Sequence, residues 1–243
     1  MLNLKLHYYL VQRNVFIALC ALAQAFFVQT FLATQKVINI QLLYVALAST
    51  WIAYEYYRAR NSWVHYIIIV SVVVVTIYYS TLTNAGLLGC VGGIAWLYNN
   101  WIMLRNHIII KNIVVTTCWT VVNVVLQQLD FKYNYILIVQ QFLFVLALTF
   151  IYDNKDVDAD NLSNTPTLAT VIGRRYTTLI AFLILLVSLC ALFLFNIHYT
   201  GFYMLSCISI MVFIVEYITN PPAYYYYYVI DGLLILQLIL CWR

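Results

Sequence analysis

Apolar runs separated by short polar punctuation follow one another along almost the whole chain. Stretches such as 64–82 and 176–195 are apolar on every face, without the period-2 alternation of a half-buried strand or the polar stripe of an amphipathic surface helix. A membrane span needs roughly 20 apolar residues. Cutting the sequence at its polar and helix-breaking positions predicts spans at 14–34, 38–57, 64–82, 85–104, 108–127, 134–152, 177–196, 200–219 and 223–242. Thr83 and Asn84 separate the third from the fourth, and Asn220, Pro221 and Pro222 separate the eighth from the ninth. The shortest connections, third to fourth, seventh to eighth and eighth to ninth, imply antiparallel hairpins.

Composition removes the alternatives. Hydrophobic residues make up 65% of the 243 positions and charged ones only 8%, too few charges to cover a water-soluble surface. In lipid the backbone must satisfy its own hydrogen bonds, which leaves helices or a closed barrel, and barrel strands would alternate. The expected architecture is therefore an all-α membrane protein, a single domain over 1–243 built from about nine transmembrane helices. Basic residues in 1–13 precede an apolar run of full span length with no small-residue cleavage site, which reads as a first helix and not as a removable signal.

The cations set the orientation. Lys5, Arg13, Arg58, Arg60, Arg105, Lys111, Lys155, Arg174 and Arg175 fall on the side of the N-terminus, and Lys36, Lys132 and Arg243 on the other. The positive-inside rule then puts the N-terminus in the cytoplasm and the C-terminus across the membrane. A net charge of +4 arranged this way is a topology signal with some attraction to anionic headgroups, not a nucleic-acid footprint. The six cysteines are spread among the apolar segments without metal-ligand spacing and read as small packing residues. No histidine has a second histidine or a carboxylate one turn away, so none is assigned a role.

One stretch carries concentrated chemistry. Asp153, Asp156, Asp158 and Asp160 supply four of the eight acids, just where the sixth span is expected to leave the membrane into a hydrophilic connection. If the helix continues outward, Asp153, Asp156 and Asp160 share a stripe at i, i+3 and i+7, with Asp158 pointing elsewhere. Such a stripe suits a hard cation such as Mg²⁺, which uses one or two carboxylates and fills its other positions with water and phosphate oxygens. The opposing reading is a solvated acidic loop neutralised by Lys155, Arg174 and Arg175. Within the spans, Glu216 and Asp231 are the acids with no obvious solvent, and an intramembrane acid is a functional candidate by default. Gly86, Gly89, Gly92 and Gly93 suggest close helix approach. Tyr224 to Tyr228 suggest an interfacial aromatic belt, with at most two or three of those rings able to line a cavity.

Asp153-x-x-Asp156-x-x-x-Asp160 followed by Thr167-Leu168 and Gly173 ahead of a hydrophobic span resembles the second aspartate-rich motif of the UbiA-type intramembrane prenyltransferases. Tyr98, Arg105 and Lys111 resemble that family's basic region near the substrate diphosphate. The resemblance implies nine helices around a central cavity, and transfer of an isoprenyl group from a prenyl diphosphate to a lipid-soluble acceptor, aromatic or a quinone precursor. It implies Mg²⁺ held by Asp153, Asp156, Asp160 and Glu55, with Asp153, Asp156 and Asp160 as the catalytic set. Arg58, Arg60, Arg105, Lys111 and Lys155 would hold the diphosphate, and a bacterial inner membrane would house the protein. The first motif of that family is not present: residues 53–61 offer only Glu55, which can pair with Arg58 one turn on. Two further readings follow: a non-catalytic relative that binds lipid or scaffolds membrane partners, and a small transporter, against which the lack of an internal repeat argues.

Overall fold

The computed structural model describes residues 14–32, 38–57, 63–79, 82–100, 107–128, 134–162, 164–194 and 200–240. Every element among them is helical: α1 (Val15–Leu32), α2 (Ile40–Tyr57), α3 (Trp63–Tyr79), α4 (Leu82–Asn100), α5 (Ile110–Val125), α6 (Tyr135–Leu162), the short α7 (Leu168–Ile172), α8 (Arg174–Leu194), α9 (Thr200–Thr219) and α10 (Ala223–Leu240). Each expected span overlaps one of the long helices among the described residues, and α6 runs ten residues beyond its expected end. Four of them, α6, α9, α10 and the Arg174–Phe193 part of α8, are long and apolar enough to cross a membrane, and Val15–Phe31, Tyr66–Tyr78 and Ile110–Val125 are shorter apolar helices.

Local chemistry sets the boundaries. The side chains of Asn39 and Asn134 accept from the backbone N–H of Leu42 and Leu137 at 3.2 and 3.0 Å, capping α2 and α6. Asn220 takes a positive φ of 51° just past α9, and Pro221 and Pro222 prevent the helix from resuming. Thr167 and Thr170 form a reciprocal capping box that starts α7. Gly173 then breaks the chain between α7 and α8 with φ 87° and ψ 156°, a region that side chains avoid. Gly173→Ala is therefore expected to cost about 1–3 kcal/mol through backbone strain alone, read as a lowered unfolding midpoint in detergent; no neighbouring atom would obstruct the added methyl.

The helices pack in chain order. α1 meets α2, α2 meets α3, and so on through α4, α5, α6, α8, α9 and α10, and α10 returns to α1. The largest core cluster is organised around Phe144, Leu148 and Ile151 of α6, which meet Ala181 and Leu185 of α8, Phe213 of α9, and Tyr226 and Ile230 of α10. Buried amides tie α1 to its partners: Gln24 donates to Gln141 at 2.7 Å and accepts from the Trp119 indole, and Gln29 donates to Gln127 at 2.8 Å. Between helices in lipid such bonds hold the bundle where hydrophobic burial gives little discrimination.

Apolar side chains on the outer faces stay uncovered, among them Val70, Val74, Ile77 and Tyr78 of α3, Val187 of α8, and Met211 and Ile218 of α9. An apolar exterior of this extent needs lipid as its solvent. The small residues of α4 differ from expectation. An added Cβ at Gly86, Gly89, Gly92 or Gly93 would meet no atom within 4 Å, so these glycines make no close helix approach among the described residues.

Candidate functional site

The acidic stretch is not a loop. α6 continues past residue 152 for about three more turns to Leu162, because Asp153 and the neighbouring amide Asn154 find partners inside the bundle. Successive residues in a helix are about 100° apart. Tyr152, Asp153 and Asn154 therefore point to three different neighbours, and all three meet one. Tyr152 donates from its hydroxyl to Asp231 Oδ2 of α10 at 2.5 Å. Asp153 accepts from Lys111 Nζ at 2.7 Å and from Asn112 Nδ2 at 2.9 Å, both on α5. Asn154 donates to Thr178 Oγ1 of α8 at 2.9 Å and to Glu216 Oε1 of α9 at 3.0 Å. One turn of α6 thus ties together four neighbouring helices.

The carboxylates expected to share a stripe occupy different surroundings. Asp153 is 4% exposed and carries its ion pair with Lys111, while Asp156 is 52% exposed with Lys155 Nζ 3.5 Å away. Asp160 is buried, and its main-chain carbonyl accepts from Thr165 N–H at 2.9 Å, closing the end of the helix. Asp158 is 88% exposed and lies 3.3 Å from Arg174 Nη2. The i, i+3, i+7 spacing is right as geometry but does not give one environment, because neighbouring helices cover only part of that face. Glu55 is buried and accepts from Asn14 Nδ2 at 2.7 Å. Arg58, Arg60 and Arg105 lie outside the described residues. Among the described residues no group of three or more His, Cys, Asp or Glu side chains is placed to hold a metal ion. A site in which Asp153, Asp156, Asp160 and Glu55 together encase Mg²⁺ does not fit these positions, and Asp156 is the one of the four that is open to solvent.

Lys155 extends back along the bundle end, its ammonium 4.6 Å from the centre of the Tyr152 ring and 4.3 Å from that of Tyr227. Two aromatic faces hold a cation at this distance when it is partly withdrawn from water. The tyrosine run of α10 is accordingly not a uniform belt. Tyr224 is exposed, whereas Tyr226 is fully buried and donates to Glu216 Oε1 at 2.7 Å, and Tyr225 donates to the Val212 carbonyl at 2.6 Å. A π-helical segment, Tyr226–Ile230, widens α10 at this point and lets Tyr226 and Asp231 both face inward. Asn112, Asn154 and Thr178 join the site without having been singled out in the sequence, and Tyr226 stood out there only as one of the Tyr224 to Tyr228 run. Glu216, an acid in apolar surroundings and the partner of Asn154 and Tyr226, was the available signal. The described cysteines are all free thiols; Cys20 is buried in the core, whereas Cys90, Cys190 and Cys207 are exposed.

All-helical architecture, four helices apolar and long enough to span, and an uncovered apolar exterior define an all-α, multi-pass membrane protein. Comparison with family models, with characterised proteins and with solved structures gives no match for this chain.

Proposed function

We propose that this chain is an intramembrane prenyltransferase of the UbiA type, moving an isoprenyl group from a prenyl diphosphate to a lipophilic acceptor. The observation that carries this reading is the contact between Lys111 and Asp153, residues 42 positions apart. It joins the basic region after α4 to the aspartate-rich end of α6, the two regions expected to meet at a substrate diphosphate. The ring order of the long helices supports the same reading, as does the break at Gly173; the bacterial inner membrane belongs to the proposal itself.

In this proposal the diphosphate oxygens draw Lys111 and Lys155 away from their carboxylates, and Asp156 would be the carboxylate open to a divalent ion, which would offset the charge of the leaving diphosphate. Mg²⁺ keeps several waters and needs only one or two carboxylates, so an open single acid suffices for it. The C–O bond of the donor breaks with its electron pair leaving on the diphosphate. The acceptor bonds to the resulting allylic carbon and releases a proton. Low dielectric at the bundle end strengthens each of these charge contacts.

A second reading, a non-catalytic membrane protein that binds lipid or scaffolds partners, is favoured by one observation: both oxygens of Asp153 are already engaged, by Lys111 and Asn112. One assay separates the two. Full-length protein in nanodiscs with farnesyl diphosphate and Mg²⁺ is expected to bind the donor and to release pyrophosphate when an acceptor is added, and Asp153→Asn/Asp156→Asn is expected to abolish both. Pyrophosphate release at an unchanged rate from the folded double variant defeats the site assignment. No metal-dependent binding of any prenyl diphosphate by the parent chain leaves the non-catalytic reading.

A further inference from the structure

A pocket of about 610 Å³ opens at the end of the bundle where α8 begins and α9 finishes, apart from the Lys111 and Asp153 contact. Its lining combines opposite charges: Arg174 and Arg175 at the start of α8, and Glu216 in the last turn of α9, with Gly173, Tyr217 and Asn220 beside them. We propose that this pocket binds the headgroup of a zwitterionic phospholipid, phosphatidylethanolamine, with its phosphate at the α8 N-terminus and its ammonium at Glu216.

The anion half of the site follows from α8. The first N–H groups of a helix have no carbonyl within the helix to receive them, and they point at whatever precedes it. Gly173, with its positive φ, places no side chain over them. Arg174 and Arg175 add two permanent positive charges. Arg174 is held across the mouth by Asn220 Oδ1 and Asp158 Oδ2, each at 3.3 Å, long enough to be weak, and its guanidinium has five donors. Arg175 is exposed, and its guanidinium carbon lies 5.9 Å from the Tyr217 ring centre.

The cation half is the independent observation. Glu216 is 3% exposed, and its two oxygens are unequal: Oε1 accepts from both Tyr226 and Asn154, whereas Oε2 has no hydrogen-bond partner. A buried carboxylate with one oxygen left over is costly unless a donor reaches it. A free phosphate would leave this oxygen unanswered, whereas a primary ammonium a few atoms away from a phosphate answers it.

The choice of a lipid over soluble phosphoethanolamine rests on what surrounds the pocket. Tyr176 and Leu179 on α8 and Ile214 and Ile218 on α9 are exposed apolar side chains on the two helices that form it. Acyl chains attached to a headgroup seated here would lie along those faces, in the solvent the rest of the bundle exterior requires.

The test is headgroup selection by the full-length chain purified in detergent, read by native mass spectrometry after incubation with equal amounts of phosphatidylethanolamine and phosphatidylglycerol. Retention of phosphatidylethanolamine is expected to be about tenfold greater, the effect of one charge-assisted hydrogen bond. That preference runs against net charge, since two arginines alone would favour the anionic lipid. Glu216→Gln keeps an oxygen for Tyr226 and Asn154 and is expected to fold, to retain total lipid, and to lose the preference. Arg175→Glu, at an exposed position that tolerates substitution, is expected to weaken retention of both lipids. Equal retention by the parent chain, an undiminished preference in Glu216→Gln, or undiminished retention of both lipids in Arg175→Glu overturns the assignment. Soluble phosphoethanolamine at the lipid's concentration is expected to displace nothing; full displacement would overturn the lipid as occupant. None of these readings involves a prenyl donor, so the outcome is separate from that of the transferase assay.

Discussion

Lys111→Ala is expected to destabilise the protein by about 3–5 kcal/mol, the effect of removing one member of a buried ion pair and leaving the other behind. Asp153 is almost fully withdrawn from solvent, and Lys111 provides one of its two hydrogen bonds. The remaining donor, Asn112 Nδ2, carries no full charge with which to offset a carboxylate in such surroundings. The double variant Lys111→Met/Asp153→Leu is expected to recover most of the loss, because replacing both partners by apolar groups also removes the desolvation penalty. Asp158→Ala supplies the contrast. Its partner Arg174 is 3.3 Å away at an exposed position, where an ion pair contributes about 0–1 kcal/mol. Unfolding midpoints of the four proteins in one detergent check the order. A Lys111→Ala loss no larger than that of Asp158→Ala would mean that Asp153 has access to water or to another cation.

Phe144→Ala is expected to cost about 3 kcal/mol, at the low end of values for large buried aromatics. The reason lies in the solvent. In water such a truncation loses both transfer free energy and packing, whereas lipid tails are as apolar as the interior, so the cavity contribution dominates. Phe144 is buried in the cluster that joins α6 to α8, α9 and α10, and neighbouring helices cannot close the space without shifting their own contacts. Ile77→Ala on α3, where the side chain is 67% exposed, is expected to change stability by no more than about 0.5 kcal/mol, since lipid fills what the side chain vacates. Similar losses at both positions would show that the outer face of α3 packs against protein rather than lipid.

The end of α6 shows how far the sequence could be read. Tyr152 to Asp160 have the polarity of a cytoplasmic connection, and the sequence places the end of the span at residue 152 without deciding whether the helix goes on. The helix continues because Asp153 and Asn154 find donors and acceptors on α5, α8 and α9, partners between 24 and 62 positions away. The spacing of Asp153, Asp156 and Asp160 is visible in the sequence, but their separation into buried, open and buried positions depends on where the neighbouring helices stop. Tyr226 is a similar case. Five consecutive tyrosines suggest an interfacial belt, and the π-helical turn that directs one of them to Glu216 has no sequence signature.

Glu216 and Asp231 stood out without any structure, because an acid within an apolar run needs a partner. Which partner it finds is a tertiary matter: Asn154 and Tyr226 for the first, Tyr152 for the second. The glycines of α4 are the reverse, a clear packing pattern in the sequence that meets no neighbouring atom.

By itself the sequence determined the solvent, the helical class and, α6 apart, the approximate limits of the long helices, because all three depend on how many consecutive residues lipid accepts and where a polar or proline residue interrupts them. It also located the acids that require an explanation. Only the tertiary structure decided which face of each helix turns inward, which charges meet, and where a pocket forms. A helix apolar all round carries no periodic mark of its buried side, so its orientation is chosen by its neighbours.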